Sequence, residues 1–176
     1  DGPVHYLVNT HWHGDHTGGN ENFGKDGAVI VSHNNARERL SNDQVRPFRG
    51  TTPAKPEIAW PLITFDKSMQ LHHNGESPQL IHIDNAHTDG DAFVYFPLAN
   101  VIHMGDCFFK DRFPYVDLAS GGTPDGAIKA IEAALMIADA ETKIIPGHGS
   151  LANKADLQKC LDMYIVMRDR TKEALE

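Results

Sequence analysis

From Thr10 to Asn20 the chain reads Thr-His-Trp-His-Gly-Asp-His-Thr-Gly-Gly-Asn, and this run limits the fold more than any other feature. It places four metal-capable side chains, His11, His13, Asp15 and His16, within six positions. The apolar stretch Val4-His5-Tyr6-Leu7-Val8 just before it reads as a short buried strand. In extended backbone, residues two apart point the same way, so His11 and His13 are placed to grip one ion together. Gly14 permits a sharp change of direction, after which Asp15 and His16 can face a second ion. Neutral imidazole and carboxylate are ligands that zinc prefers in catalytic sites. A solvated polar loop is the bland alternative, and the density of the pattern argues against it.

The rest of the chain alternates strands and helices, which gives an α/β class. Ala28 to Val31 is a strand and His33 to Leu40 a short helix. Arg46 to Pro61, rich in Pro, Gly and Thr, is expected as an extended loop. Strands are expected over Ile63 to His72, Gln79 to Ile83, Ala92 to Phe96 and Val101 to Met104, with Asn74-Gly75 as a hairpin turn. Thr123-Pro124-Asp125 opens a helix, with Thr as cap and Pro at its first position. Lys143 to Ile145 is a strand running into Pro146-Gly147-His148-Gly149, and a last helix spans about Lys154 to Ala174. With no repeat or linker, residues 1–176 read as a single domain.

A net charge of -8 disfavours a nucleic-acid partner, which needs a basic face. No stretch approaches the roughly 20 apolar residues that span a bilayer. Cys107 and Cys160 are too few for a disulfide framework and lack zinc-finger spacing.

Further motifs follow in order: Ala86-His87-Thr88-Asp89-Gly90-Asp91, then His103-Met104-Gly105-Asp106, then Pro146-Gly147-His148-Gly149. Each is weak alone, but together they follow apolar strands in the order of the metallo-β-lactamase superfamily, which the chain resembles over essentially its whole length. The stretch from His87 to His148 looks especially like bacterial members. The resemblance implies an αββα sandwich with two metal ions, expected as zinc with iron as the alternative. It implies His11, His13 and His87 on the first ion, Asp15, His16 and His148 on the second, and Asp106 bridging them. It further implies a hydrolase in which a metal-bound hydroxide attacks an acyl carbonyl of the β-lactam, lactone or thioester class. Asp15 would orient the nucleophile or shuttle a proton. The expected partner is a small-molecule acyl substrate. Export to the periplasm would follow from bacterial relatives alone.

Around the ligands, Thr88, Asp89 and Asp91 are candidates to hold an imidazole tautomer, against plain turn chemistry. Lys110 could meet a substrate carboxylate, although solvated lysine is the simpler reading. Cys107 adjoins Asp106 and should face the opposite way, as a buried hydrophobe. Cys160 reads as core, and His5, His33, His72, His73, His82 and His103 match no ligand position. The superfamily's first motif normally follows several strands, so part of the N-terminal sheet is expected to be missing. Exposed sheet edges, and through them a homo-oligomer, are the corollary. Two other readings accompany the hydrolase: an iron-binding oxidoreductase of the same superfamily, and a metal-binding fragment with impaired turnover.

Overall fold

The structure, a computed structural model, describes residues 2–47 and 50–176. Two sheets lie face to face with helices on their outer sides. The first sheet is parallel and has three strands in the order β1-β2-β5, from Tyr6–Val8 (β1), Val29–His33 (β2) and Ile63–Phe65 (β5). Short helices Gly14–Thr17 (α1) and Asn20–Lys25 (α2) link β1 to β2, and Asn34–Ser41 (α3) follows β2. A separate hairpin pairs Gln44–Arg46 (β3) with Gly50–Thr52 (β4).

The second sheet runs β10-β9-β8-β7-β6. Its strands are Ser68–Gln70 (β6), Gln79–His82 (β7), Ala92–Phe96 (β8), Val101–Phe109 (β9) and Lys143–His148 (β10). All its pairs are antiparallel except β9 with β10. Helices Pro124–Ile137 (α4) and Lys154–Leu175 (α5) cover its outer face. Apolar residues explain the stacking. Val31 and Phe65 of the first sheet meet Leu80, Ala92 and Val94 of the second. On the other side Ile102, Met104 and Phe108 of β9 meet Ile128 and Ile131 of α4 and Leu157 and Leu161 of α5. Trp12, Ala36 and Leu40 form a small core under α3. The result is the expected αββα order. Among the described residues no helix is long and apolar enough to cross a membrane.

Local chemistry sets the ends of these elements. Thr123 caps α4 by accepting from the Gly126 N–H, with Pro124 next. Asn153 and Asp156 form a reciprocal capping box at the start of α5. Asn74 and Gly75 both take positive φ (53° and 75°), the turn expected between β6 and β7.

Three expectations need correction. The strand foreseen over Ile63 to His72 is split, since the polar pair Asp66-Lys67 bends the chain out of the first sheet into the second. The loop foreseen over Arg46 to Pro61 begins inside the β3–β4 hairpin, because β-branched Val45, Thr51 and Thr52 favour pairing and outweigh the Pro and Gly content. Phe48 and Arg49, part of that expected loop, lie outside the described residues. Finally, β9 does not stop at Met104 but continues to Phe109. Gly105 sits in the left-handed region (φ 52°), and the pairing with β10 shifts register between Ile145 and Pro146. This bulge resets which way the strand's next residues face.

Candidate metal centre

Two strands, two loops and the short helix α1 deliver seven side chains to one end of the sandwich. His11 and His13 leave β1, and Trp12 between them turns into the core with 5% exposure. That alternation is the one expected of extended backbone. Gly14 is not in a left-handed conformation. It opens helix α1, and that helix, rather than a glycine turn, swings Asp15 and His16 round. His87 comes from the β7–β8 loop, Asp106 from β9 beyond the bulge, and His148 from the end of β10.

Their ligand atoms form two groups: His11, His13, His87 and Asp106, then Asp15, His16, Asp106 and His148, each within 4.8 Å of one another. Asp106 belongs to both. Its Oδ1 lies 3.0 Å from His16 Nε2, and its Oδ2 lies 3.4, 3.5 and 3.7 Å from the Nε2 atoms of His87, His148 and His11. Asp15 Oδ2 lies 3.2 Å from His148 Nε2 and 3.5 Å from His16 Nε2. Gly147 makes room for the carboxylate, since a Cβ there would come within 2.0 Å of Asp106 Oδ1.

Burial tunes the histidines of the first group toward metal binding, whereas Asp106 and Asp15 outweigh burial at His16 and raise it. For the first group, the effect is largest at one ring. Burial pushes the His11 imidazole well below its ordinary range, helped by the neighbouring His87 and His16, and it lowers His87 as well. Burial also lowers His13, against the opposing pull of Asp117. These shifts favour the neutral ring, the form that binds metal. For Asp106, burial favours the acid, but His16, His87 and His148 outweigh it and hold the carboxylate low.

Each ring of the first group is oriented by its second nitrogen. His87 Nδ1 lies 2.7 Å from the Tyr115 carbonyl oxygen, and His11 Nδ1 lies 3.2 Å from Thr10 Oγ1. His13 points Nδ1 toward His87 Nε2 (2.9 Å) and Nε2 toward Asp117 Oδ2 (2.8 Å). Asp117 also accepts from Ser120 Oγ at 2.7 Å and Arg46 Nη2 at 2.6 Å. Burial raises Asp117, but these partners bring it down to about 2, so it is a carboxylate throughout the useful pH range.

Asp117, Arg46 and Tyr115 carried no signal in the sequence. Asp117 and Tyr115 sit in irregular backbone far from any ligand motif, and Tyr115 acts through its carbonyl.

The candidates flanking His87 do other work. Asp91 accepts from the Thr88 N–H (2.7 Å) and hydroxyl (2.6 Å), which is turn chemistry rather than imidazole support. Asp89 pairs with both Arg39 Nη2 and Nε (2.6 and 2.8 Å), tying the His87 loop to α3. Lys110 does not face the cleft, because Asp156 (3.0 Å) and the Leu151 carbonyl (2.9 Å) draw it onto α5. The cations that line the 310 Å³ cleft are Arg46 and Arg112, beside Phe109 and Tyr115. Cys107 is buried in the core with Cys160. His103 accepts from the Gly105 N–H and lies within reach of the charges of His16 and Asp106, whereas His33 stacks on His82 at 3.6 Å and His5 meets His73. His72 bonds Ser77.

Comparison with known proteins places these observations. The profile of the metallo-beta-lactamase superfamily matches residues 1–148. In three dimensions the chain is similar to a metallo-beta-lactamase from Pontibacter korlensis, with a TM-score of 0.73, 19% identity, and 92% of this chain and 69% of that one covered. It is similar also to BLEG-1 B3 metallo-beta-lactamase, at a TM-score of 0.76 and 19% identity over 89% and 75% of the two chains. Likeness at these identities is one of fold. Among curated proteins it is similar to the 2,4-dinitroanisole O-demethylase subunit alpha of Nocardioides sp. (strain JS1661), 29% identical over 107 residues. That match covers 61% of this chain but 30% of the relative, so the chain spans under a third of that protein's length.

Proposed function

This chain belongs to the metallo-β-lactamase superfamily, and from that premise we propose that it is a dinuclear zinc hydrolase acting on an acyl carbonyl of a β-lactam, lactone or thioester. The observation that carries the reading is a buried ring nitrogen in the cluster without a hydrogen-bond partner, His11 Nε2, with the Asp106 carboxylate 3.7 Å away. Buried polar atoms are nearly always satisfied, and leaving one unpaired costs about 1–3 kcal/mol. A divalent cation would satisfy it. The donor set of neutral imidazoles and carboxylates suits zinc, with Asp106 shared between two ions.

When bound, such ions supply a nucleophile from water near neutral pH and polarise a carbonyl. The chain's own residues do the rest. Asp15 is half exposed at the cleft and stands over His148 and His16, where its carboxylate can orient water and pass a proton to the leaving group. Asp117 and the Tyr115 carbonyl fix the His13 and His87 rings. Arg46 and Arg112 give the cleft a positive wall for a small acyl substrate.

One observation favours a second reading, iron-dependent oxidoreduction on the same ligands: the curated relative is named for a demethylation. Geometry and metal supply, beyond ligand type, decide which metal a site takes. Elemental mass spectrometry on the purified chain separates the two. About two zinc ions per chain, with turnover of a β-lactam, lactone or thioester, is the expected result. Iron with no hydrolysis would overturn it in favour of the second reading, and no metal after zinc addition would overturn both.

The outer edge of β1 carries no pairing among the described strands. We propose that two copies associate through such edges. Light scattering should give a mass above one chain, and a monomer at every concentration would refute this.

A further inference from the structure

Behind Phe109 the metal cleft has a neighbour, a cavity of 440 Å³ between the end of β9 and α5. The chain turns at Asp111, in the left-handed region with φ 61°, and brings Arg112 and Phe113 over its mouth. Phe108, Cys160 and Met163 line it, and the first two are buried. Phe113 is 78% exposed, an aromatic ring left in water at the rim of an acidic protein. None of the buried unpartnered polar atoms among the described residues lines this cavity. Lys110 and Asp156 at its edge already hold each other at 3.0 Å.

Two residues join this cavity to the metal cleft. Phe109 and Arg112 line both. The Phe109 ring meets His148 edge-on at 5.0 Å and His87 at 6.1 Å, so one side touches the metal cluster and another walls the cavity. Arg112 is exposed and has no ion-pair partner among the described residues.

We propose that this cavity is the subsite for an apolar group of the substrate, a short acyl chain, whose reacting carbonyl lies in the metal cleft. The proposal rests on the acyl-hydrolase reading above. Ligand sites of about 300–1,000 Å³ with apolar walls and a few polar groups at the mouth hold small molecules, and this cavity has that build. Its lining also holds the charged residues Asp111, Arg112 and Lys159, all exposed, so the apolar surface left for a methylene chain to cover is that of Phe108, Phe113 and Met163.

The test compares p-nitrophenyl acetate, butyrate and hexanoate as substrates of the zinc-loaded protein. KM should fall by about fourfold for each methylene buried, with kcat nearly constant, the signature of uniform binding. Phe113→Ala, at an exposed position, and Met163→Trp, which fills the cavity, should each bring the acetate-to-hexanoate KM ratio close to one. A KM independent of chain length in the unmodified protein overturns the subsite. A second arm needs no turnover: hexan-1-ol should shift the Met163 methyl resonance in a methyl NMR spectrum. If no ester is hydrolysed and the shift is present, the subsite stands and the hydrolase reading falls. If the Met163 resonance does not move, the subsite is refuted whatever the kinetics show.

Discussion

Asp106→Asn is expected to leave the protein with one metal ion or none and to abolish turnover. Asp106 is the one residue shared by both ligand groups, and its two oxygens lie 3.0 to 3.7 Å from four imidazole nitrogens. Asparagine keeps the shape but turns an NH2 toward one side of the site and removes the negative charge that two cations need. Changes to residues that only orient ligands cost about 10- to 100-fold in metal affinity, so loss of the shared ligand should exceed that. Gly147→Ala should reach the same end without altering any ligand, because its Cβ would collide with Asp106 Oδ1 and with the Gly105 backbone and displace the carboxylate. Circular dichroism should show both variants folded, since the cores on either side of the second sheet do not involve these residues. Two ions per chain after dialysis of both variants would mean that Asp106 does not hold metal.

The sequence made the ligand cluster legible because metal chemistry restricts residue type and spacing together. Four ligand-capable groups between His11 and His16 leave few alternatives, and His87, Asp106 and His148 each come soon after a run of apolar residues. Elements with strong local signals were equally readable, as in the Thr123-Pro124 start of α4 and the Asn74-Gly75 turn. What stayed hidden depends on three-dimensional context. Arg46 lies 71 residues before Asp117 in the chain, yet they meet at 2.6 Å because the β3–β4 hairpin folds over the cleft. The Tyr115 carbonyl that orients His87 is backbone, and no side-chain pattern announces it. The bulge at Gly105 escaped notice because a glycine within an apolar run does not reveal whether it will adopt positive φ. Its reason is Thr10, which packs where a Cβ would stand, 2.7 Å from the Thr10 hydroxyl oxygen. Lys110 had two readings, a cleft residue or a solvated lysine, and the second was the simpler. Neither foresaw Asp156 on α5, which holds the ammonium at 3.0 Å.

Asp117→Asn should weaken the first ion by about 10- to 100-fold while leaving the second nearly untouched. His13 Nδ1 faces His87, so that atom is the one available to metal, and the ring must keep its proton on Nε2. Asp117 accepts that proton's hydrogen bond at 2.8 Å as a full carboxylate, held ionised by Ser120 and Arg46. A carboxylate behind a ligating imidazole fixes its tautomer and makes it a stronger electron donor. The amide of asparagine can still accept the hydrogen bond but brings no charge, and Arg46 is then left without its ion pair. The second group is held by other contacts, since His16 and His148 each pair with Asp106 and with Asp15. Chelator-competition titration resolves the two binding steps. Selective weakening of one step supports this division of labour. Equal weakening of both would show that Asp117 supports the cleft as a whole, and an unchanged first step would remove it from the metal centre.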